Sequence, residues 1–299
     1  MMIGDSVLDL IGSTPMVRIN KLNTNKDIKV YAKLEGFNPT GSIKDRVALK
    51  MIEEAEKSGE LKPGKVIIEA TSGNTGIGLA MVGSQKGYKV VIVMSSSVSI
   101  ERRKMIRAFG AEVILTSPDL GTDGAIMKVQ EMISEQPDKY YNPNQFSNEN
   151  NKIAHKLTAE EIWKQTDGKI THFVASLGTS GTLMGVGKYL KRYNDKIKII
   201  EAHPEEGHQI QGLKNMKEAI VPKIYDPSIV DEHLIINTED AYSVSRRIVK
   251  EESLFVGMSS GAAMQAVLSI SSKLPKESVV VVIFPDRGEK YLSTKLFEF

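Results

Sequence analysis

The 299-residue sequence contains no cysteine. This absence excludes disulfide bonds, thiolate metal sites and a cysteine nucleophile. No apolar run approaches the length of a membrane span, so we expect no transmembrane segment. The formal net charge is only +2, and no long run carries one sign of charge. This balance argues against nucleic acid or an anionic membrane as the main partner.

The N-terminus lacks a basic stretch followed by an apolar one, so we expect no signal peptide and a cytoplasmic location. We also expect no metal site, because the five histidines show no metal-binding spacing with each other or with a carboxylate. What the chain does contain is an ordinary globular composition, with 41% hydrophobic and 25% charged residues. Such a chain can bury a sizeable core in one large domain or two smaller ones.

Strand-like and helix-like segments alternate along most of the chain. Continuous apolar strands between helices indicate parallel sheets covered on both faces, so we expect an α/β fold with two sheets. The predicted strands are 28–34, 66–69, 88–94, 112–115, 172–175, 198–202 and 279–284. The predicted helices are 47–57, 76–86, 100–109, 124–134, 153–165, 181–192, 240–252 and 261–271. The polar stretch 142–151 is a candidate boundary, and the proline-containing region 204–231 is expected to form long surface connections.

A turn at residues 38–46 carries a lysine between a predicted strand and a predicted helix. Helix dipoles and burial at such a turn can lower the pKa of the Lys44 amine. A deprotonated amine can form a Schiff base, so Lys44 could hold an aldehyde cofactor such as pyridoxal phosphate. Taken alone, the turn is more typical of a solvated surface lysine.

Two further loops lie between a predicted strand and a predicted helix. Residues 71–76, TSGNTG, combine hydroxyls, an amide and backbone N–H groups at a helix N-terminus, which favours an anion site over a plain cap. Residues 178–182, GTSGT, repeat this pattern and suit a phosphate. The second loop matches neither a Walker A loop nor a dinucleotide fingerprint. By contrast, the basic run Arg102-Arg103-Lys104 is expected to be a solvated helix face.

Together these residues resemble a known family. The segments NPTGSIKDR around Lys44, TSGNTG, QFSN at 145–148, GTSGT and GMSSGAA at 257–263 are similar to the cysteine synthases. These are O-acetylserine sulfhydrylases, pyridoxal-phosphate enzymes of the tryptophan-synthase-β fold type. PDRGEKYLST at 285–294 and PEEG at 204–207 favour the B-type branch of that family.

The resemblance implies fold type II of the pyridoxal-phosphate enzymes, with two doubly wound domains and mostly parallel sheets. The smaller N-terminal domain would comprise residues 40–150, with a mobile segment at about 95–134. The larger domain would bind the cofactor phosphate and comprise residues 1–39 and 151–299. The family also implies a homodimer.

The resemblance also implies roles for named residues. Lys44 would form the Schiff base with the cofactor and move protons at the substrate Cα. Asn74 would hydrogen-bond to the cofactor 3′-oxygen, and Ser259 would meet the pyridine nitrogen. The cofactor phosphate would be held by Gly178, Thr179, Ser180, Gly181 and Thr182. The substrate α-carboxylate would be bound by Thr71, Ser72, Thr75 and Gln145.

The implied reaction is β-replacement on O-acetylserine by sulfide or another thiol, forming L-cysteine. O-Phosphoserine stays open as a second donor, since related enzymes that use it carry an arginine at the position resembling Lys214. Lys214 is therefore a candidate substrate ligand, although the sequence favours a solvated loop lysine.

Two alternatives remain. The cystathionine β-synthase core shares most of these motifs, so homocysteine could be the thiol. A protein that only binds a serine acetyltransferase tail is less favoured, because a pure binder does not need Lys44. Serine acetyltransferase nevertheless remains a candidate partner of an active enzyme.

Overall fold

The computed structural model describes residues 3–298, which form ten β-strands and nine α-helices joined by loops and short 3₁₀ turns. The strands are β1 (Met16–Arg18), β2 (Lys29–Leu34), β3 (Val66–Ala70), β4 (Lys89–Ser95), β5 (Glu112–Thr116), β6 (Tyr140–Tyr141), β7 (His172–Ser176), β8 (Lys198–Pro204), β9 (Glu232–Ile236) and β10 (Val279–Phe284). The helices are α1 (Lys44–Ser58), α2 (Asn74–Lys86), α3 (Ile100–Ala108), α4 (Gly121–Glu135), α5 (Glu149–Ile153), α6 (His155–Gln165), α7 (Gly181–Tyr193), α8 (Thr238–Glu252) and α9 (Met258–Ile270).

The strands form two sheets. The larger has the order β1-β2-β10-β7-β8-β9, and the smaller has the order β5-β4-β3-β6. All neighbouring pairs are parallel except β1 with β2. The expected α/β fold with two mostly parallel sheets is therefore confirmed.

Alternate residues of each central strand enter cores on opposite faces of its sheet. In β10, Val280 and Val282 pack in one cluster, whereas Val281 and Ile283 pack in another. In β3, Ile67 packs on one face of the smaller sheet and Val66 on the other. Side chains of a strand point alternately to its two faces, so a strand covered on both faces is apolar along nearly all of its length. In β3 the buried Glu69 is an exception. This pattern explains why β10 could be recognised as a continuous apolar run.

The two sheets draw on different parts of the chain. Every strand of the smaller sheet lies between residues 66 and 141, inside the range predicted for the smaller domain. The strands of the larger sheet lie at residues 16–34 and 172–284. This arrangement is consistent with the predicted domains 40–150 and 1–39 plus 151–299, and the division stays a prediction, as does the mobile segment at 95–134.

The helix predicted at 153–165 is confirmed as α6, which begins two residues later. The short helix α5 before it was not predicted, and the Asn148 side chain caps α5 by accepting from Asn150 N–H. One sequence expectation was wrong. The region 204–231 is more than a surface connection, since Ile210 and Ile224 are buried in it. Strands β1, β6 and β9 were not predicted.

Among residues 3–298, no helix has the length and apolar character needed to cross a membrane.

Candidate functional site

The carboxyl ends of parallel strands from both sheets surround one pocket. Ligands of open α/β sheets bind outside these ends, where strand-to-helix loops meet. Loop 71–73 follows β3, loop 177–180 follows β7, and Pro285 follows β10. Twelve of the thirteen predicted site residues line this pocket: Lys44, Thr71, Ser72, Asn74, Thr75, Gln145, Gly178, Thr179, Ser180, Thr182, Lys214 and Ser259. The remaining one, Gly181, begins α7 immediately beside it.

Lys44 is the first residue of α1 and projects from a fixed turn. The preceding residue donates its Ile43 N–H to Pro285 O at 2.8 Å, which ties the turn to the end of β10. Burial lowers the pKa of the Lys44 amine, while the negative charges of Asp286 and Glu35 act in the opposite direction. A lowered pKa increases the fraction of uncharged amine, which is the form that attacks an aldehyde.

The loop 178–182 presents free donors at the start of α7. Ser180 has a left-handed backbone conformation, with φ of 70°, and its buried hydroxyl has no hydrogen-bond partner among residues 3–298. The first N–H groups of a helix have no partner within the helix, so they favour an anion. Gly178 lies so close to the neighbouring loop that a Cβ there would be 2.5 Å from Gly212 O. A larger residue at position 178 would therefore displace this loop.

A buried histidine supports the same loop. His155 Nε2 lies 3.2 Å from Thr182 Oγ1, and His155 Nδ1 lies 3.3 Å from Thr158 Oγ1. Burial lowers the pKa of His155 well below its usual value, and the charges of Lys44 and Arg46 lower it further. A neutral imidazole therefore links the two threonine hydroxyls.

The loop 71–75 is held in place through Gln145. Thr75 Oγ1 donates to Gln145 Oε1 at 2.6 Å, and Gln145 Nε2 donates to Ala70 O at 3.0 Å. Asn151 Nδ2 donates to Gln145 O at 2.8 Å and to Thr179 Oγ1 at 3.1 Å, so it joins this loop to the loop 178–182. The two candidate anion sites are thus held in a fixed relation to each other.

These features fit pyridoxal phosphate. The pocket combines an amine for the aldehyde, helix N-terminal donors for the phosphate and a hydroxyl for the pyridine nitrogen, on Ser259. Two buried atoms at these positions, Asn74 Oδ1 and Ser180 Oγ, have no hydrogen-bond partner within the described chain. Buried polar atoms are rarely left unpaired, which suits a site built around a polar ligand. The individual roles of these residues stay predictions.

Lys214 is not a solvated loop lysine, so that interpretation was wrong. It is only 8% exposed, and its backbone N–H donates to Leu177 O at 2.9 Å. Its amine lies 2.9 Å from Asp123 Oδ1 and 4.9 Å from the centre of the Phe146 ring. The long-range bond to Leu177, next to the loop 178–182, brings Lys214 into the wall of the pocket.

The expected solvated face at Arg102 was also wrong. Arg102 is 1% exposed and lines the pocket. Its Nη1 donates to Gln211 Oε1 at 2.6 Å, and its guanidinium carbon lies 4.4 Å from the centre of the Tyr291 ring. Its side chain also covers Gly73, where a Cβ would be 2.2 Å from Arg102 Cδ. No local pattern marks this burial, because all three contacts come from distant parts of the chain.

Comparisons with known proteins agree with this geometry. A family model described as pyridoxal-phosphate dependent enzyme matches residues 7–286. A cysteine synthase of Aquifex aeolicus is 48% identical, over 98% of this chain and 92% of the relative. Cysteine synthase B of Escherichia coli is 45% identical, over 96% of this chain and 94% of the relative. The crystal structure of a cysteine synthase from Entamoeba histolytica matches with a TM-score of 0.94 at 43% identity, covering 100% of this chain and 92% of that one.

Proposed function

The chain belongs to the pyridoxal-phosphate dependent enzymes, and we propose that it is a cysteine synthase that forms L-cysteine from O-acetylserine and sulfide or another thiol. The observation that carries the proposal is the placement of Lys44 in one pocket with two separate loops that are predicted to bind anions. An amino-acid substrate needs one loop for its carboxylate, and the cofactor needs the other for its phosphate.

Bound pyridoxal phosphate supplies an electron sink conjugated to the substrate Cα, which allows the β-substituent to leave. Loop 178–182 would hold the phosphate through N–H groups and hydroxyls. Loop 71–75 would bind the substrate carboxylate and so orient the Cα hydrogen towards Lys44. The Lys44 amine would then accept the proton at Cα and return it later. The Ser259 hydroxyl is a weak hydrogen-bond partner for the pyridine nitrogen. It would therefore leave the cofactor an electron sink of moderate strength, which suits loss of a β-substituent.

The relatives favour this reaction over the alternatives. Those compared above bear the names cysteine synthase or cysteine synthase B, which supports cysteine as the product. Homocysteine as the thiol has no comparable support. A binder without activity would not need a lysine with a lowered pKa in the pocket.

Substitution of Lys44 tests the function directly. Lys44→Ala should abolish trapping of the cofactor by borohydride, read as loss of the mass increment on the protein. Loss of the acid–base group alone should lower cysteine formation by on the order of 10²- to 10⁴-fold. Lys57→Ala is the matched control, because Lys57 lies on the same helix with an exposed side chain that pairs with Glu54.

The control should keep both trapping and turnover, and thermal unfolding should show that Lys44→Ala is folded. Near-normal turnover of Lys44→Ala would refute the assignment. A parent protein that binds no pyridoxal phosphate would refute the proposed function as a whole.

We also propose that the enzyme is a homodimer. A second groove shares no lining residue with the pocket described above. Its apolar surface comes mainly from Ile11, Leu49, Ile153 and Leu157, and it is also lined by Arg46, Lys50, Glu53, Ala154 and Lys156. Leu157 is 60% exposed and Ile153 is 39% exposed. Exposed clusters of large apolar side chains are typical of protein interfaces. A second copy of the chain would cover them, and analytical ultracentrifugation would measure the mass.

We also propose that the enzyme acts in the cytoplasm, which stays a prediction from the sequence and which cell fractionation would test. Serine acetyltransferase stays a predicted partner. Co-sedimentation of the two purified enzymes would test that interaction, and separate sedimentation would count against it.

A further inference from the structure

Asp286 is a buried carboxylate at the pocket that is not among the predicted site residues. It lies two residues after β10 and is 1% exposed. Its Oδ2 accepts hydrogen bonds from Asn74 Nδ2 and from Tyr291 Oη, each at 2.7 Å. Its Oδ1 is buried without a partner in the described chain, and the nearest guanidinium nitrogen of Arg102 lies 3.9 Å from Oδ2. Such a carboxylate is costly to bury, which calls for a physical reason for its presence.

The backbone of Asp286 joins two parts of the candidate site. Gly257 N–H, immediately before the helix that carries Ser259, donates to Asp286 O at 3.3 Å. Asp286 also forms an antiparallel bridge with Ser42, two residues before Lys44. Its side chain is therefore fixed relative to the amine and to the pyridine-facing hydroxyl before it contacts Asn74.

The contact with Asn74 allows one orientation of that amide. A carboxylate oxygen only accepts hydrogen bonds, so Asn74 must present its NH₂ group to Asp286. A flipped amide would place two oxygens together at the same short distance. One N–H of Asn74 is thus used by Asp286, and the second stays available to a group bound in the pocket. In addition, burial lowers the pKa of Lys44, and the charge of Asp286 is the leading influence that opposes this.

We propose that Asp286 is a positioning residue, which orients the Asn74 amide as a hydrogen-bond donor for the cofactor site. The inference rests on the proposed function, because it assigns the free N–H of Asn74 to bound pyridoxal phosphate. Asp286 acts on the reaction through Asn74 and does not contact the reacting atoms.

A double-mutant cycle tests the connection between the two residues. Asp286→Ala, Asn74→Ala and the double variant are compared for O-acetylserine turnover, for pyridoxal phosphate affinity and for the absorption maximum of the bound cofactor. Loss of a hydrogen bond to a charged group predicts a roughly 10- to 100-fold lower kcat/KM for Asp286→Ala. The same variant should also shift the absorption maximum. If Asp286 acts through Asn74, adding Asp286→Ala to Asn74→Ala should have little further effect.

Asp45 supplies the matched control. It is also a fully buried carboxylate close to Lys44, but it accepts its hydrogen bonds from Thr40. The effect of Asp45→Asn should therefore be the same in the parent and in Asn74→Ala. If Asp286→Ala does not fold, Asp286→Asn replaces it in the cycle. This variant keeps an acceptor oxygen, so it should show a smaller loss that again disappears in the Asn74→Ala background.

Equal effects of the Asp286 variants with and without Asn74 would overturn the proposal, as would an unchanged absorption maximum and unchanged kinetics. These outcomes differ from failure of the proposed function. A parent that binds pyridoxal phosphate and makes cysteine, but gives an additive cycle, refutes only the role of Asp286. A parent that binds no pyridoxal phosphate refutes both.

Discussion

Because Glu69 is buried, we expect the folded protein to lose stability as the pH becomes alkaline. This residue lies in β3 and is 2% exposed, next to the segment that carries Gln145. Burial raises the pKa of its carboxyl from 4.5 to about 8, although backbone N–H groups of Gln145, Asn144 and Ala70 oppose the shift. At neutral pH the folded protein therefore holds this carboxyl mainly in its protonated form.

The sign of the effect follows from proton binding. The folded state binds the proton of Glu69 more tightly than the unfolded state does, so the folded state loses stability as the pH rises from 4.5 to about 8. Each unit of pKa difference corresponds to about 1.4 kcal/mol, which gives a total on the order of 5 kcal/mol. Roughly 2–3 kcal/mol of this loss falls between about pH 6 and about pH 9.

Glu69→Gln should remove this loss, because glutamine keeps the size and an acceptor oxygen but does not titrate. We would measure the free energy of unfolding by urea for the parent and the variant at about pH 6 and at about pH 9. The advantage of the variant should grow by roughly 2–3 kcal/mol at the higher pH. Glu54→Gln is the control, since Lys50 and Lys57 lower the pKa of that glutamate to about 2. Glu54 therefore does not titrate between the two pH values, and the pH dependence of this variant should match that of the parent. Equal pH dependence of the parent and Glu69→Gln would refute the reasoning.

Two further predictions concern the substrate and the assembly. Lys214→Ala should lower kcat/KM for O-phosphoserine by roughly ten- to hundredfold and leave O-acetylserine nearly unchanged. Asp123→Asn removes the negative charge that pairs with Lys214 but leaves the positive charge of Lys214 in place, so it should not lower O-phosphoserine use. Equal losses for both donors in Lys214→Ala would show that Lys214 is not part of the donor site. Leu157→Asp should shift the sedimentation coefficient towards that of a monomer, whereas Leu120→Asp, at a similar 58% exposure, should not. A dimer that tolerates Leu157→Asp would place the interface elsewhere.

The sequence predicted most of the central strands and helices because their signals are local. β10 was predicted with its observed limits, since both of its faces are buried and every residue is apolar. The strand-to-helix loops were marked by glycines and hydroxyls next to such strands. Three of the four strands at sheet edges, β1, β6 and β9, were not predicted. β6 has two residues, and its pairing with Val66 and Ile67 depends on a contact across more than 70 residues.

The supporting residues of the site could not be predicted for the same reason. Arg102 lies in a polar helix that resembles a solvated face, and its burial depends on Gln211 and Tyr291. His155 gains its role only when α6 packs against α7 and meets Thr182. Motifs therefore identify residues that would contact the ligand, whereas the residues that position them are defined by long-range packing.

The contacts of α3 and α4 indicate how the predicted movement of segment 95–134 would be controlled. The apolar side of this segment belongs to the smaller sheet, where Ile106 packs in its core. Its links to the rest of the pocket are polar, through Arg102 to Gln211 and through Asp123 to Lys214. An apolar core resists separation, whereas single hydrogen bonds and ion pairs can exchange partners at a much smaller cost. We therefore expect the segment to move with the smaller sheet, and we expect the hydrogen bond between Arg102 and Gln211 to set the balance between open and closed states.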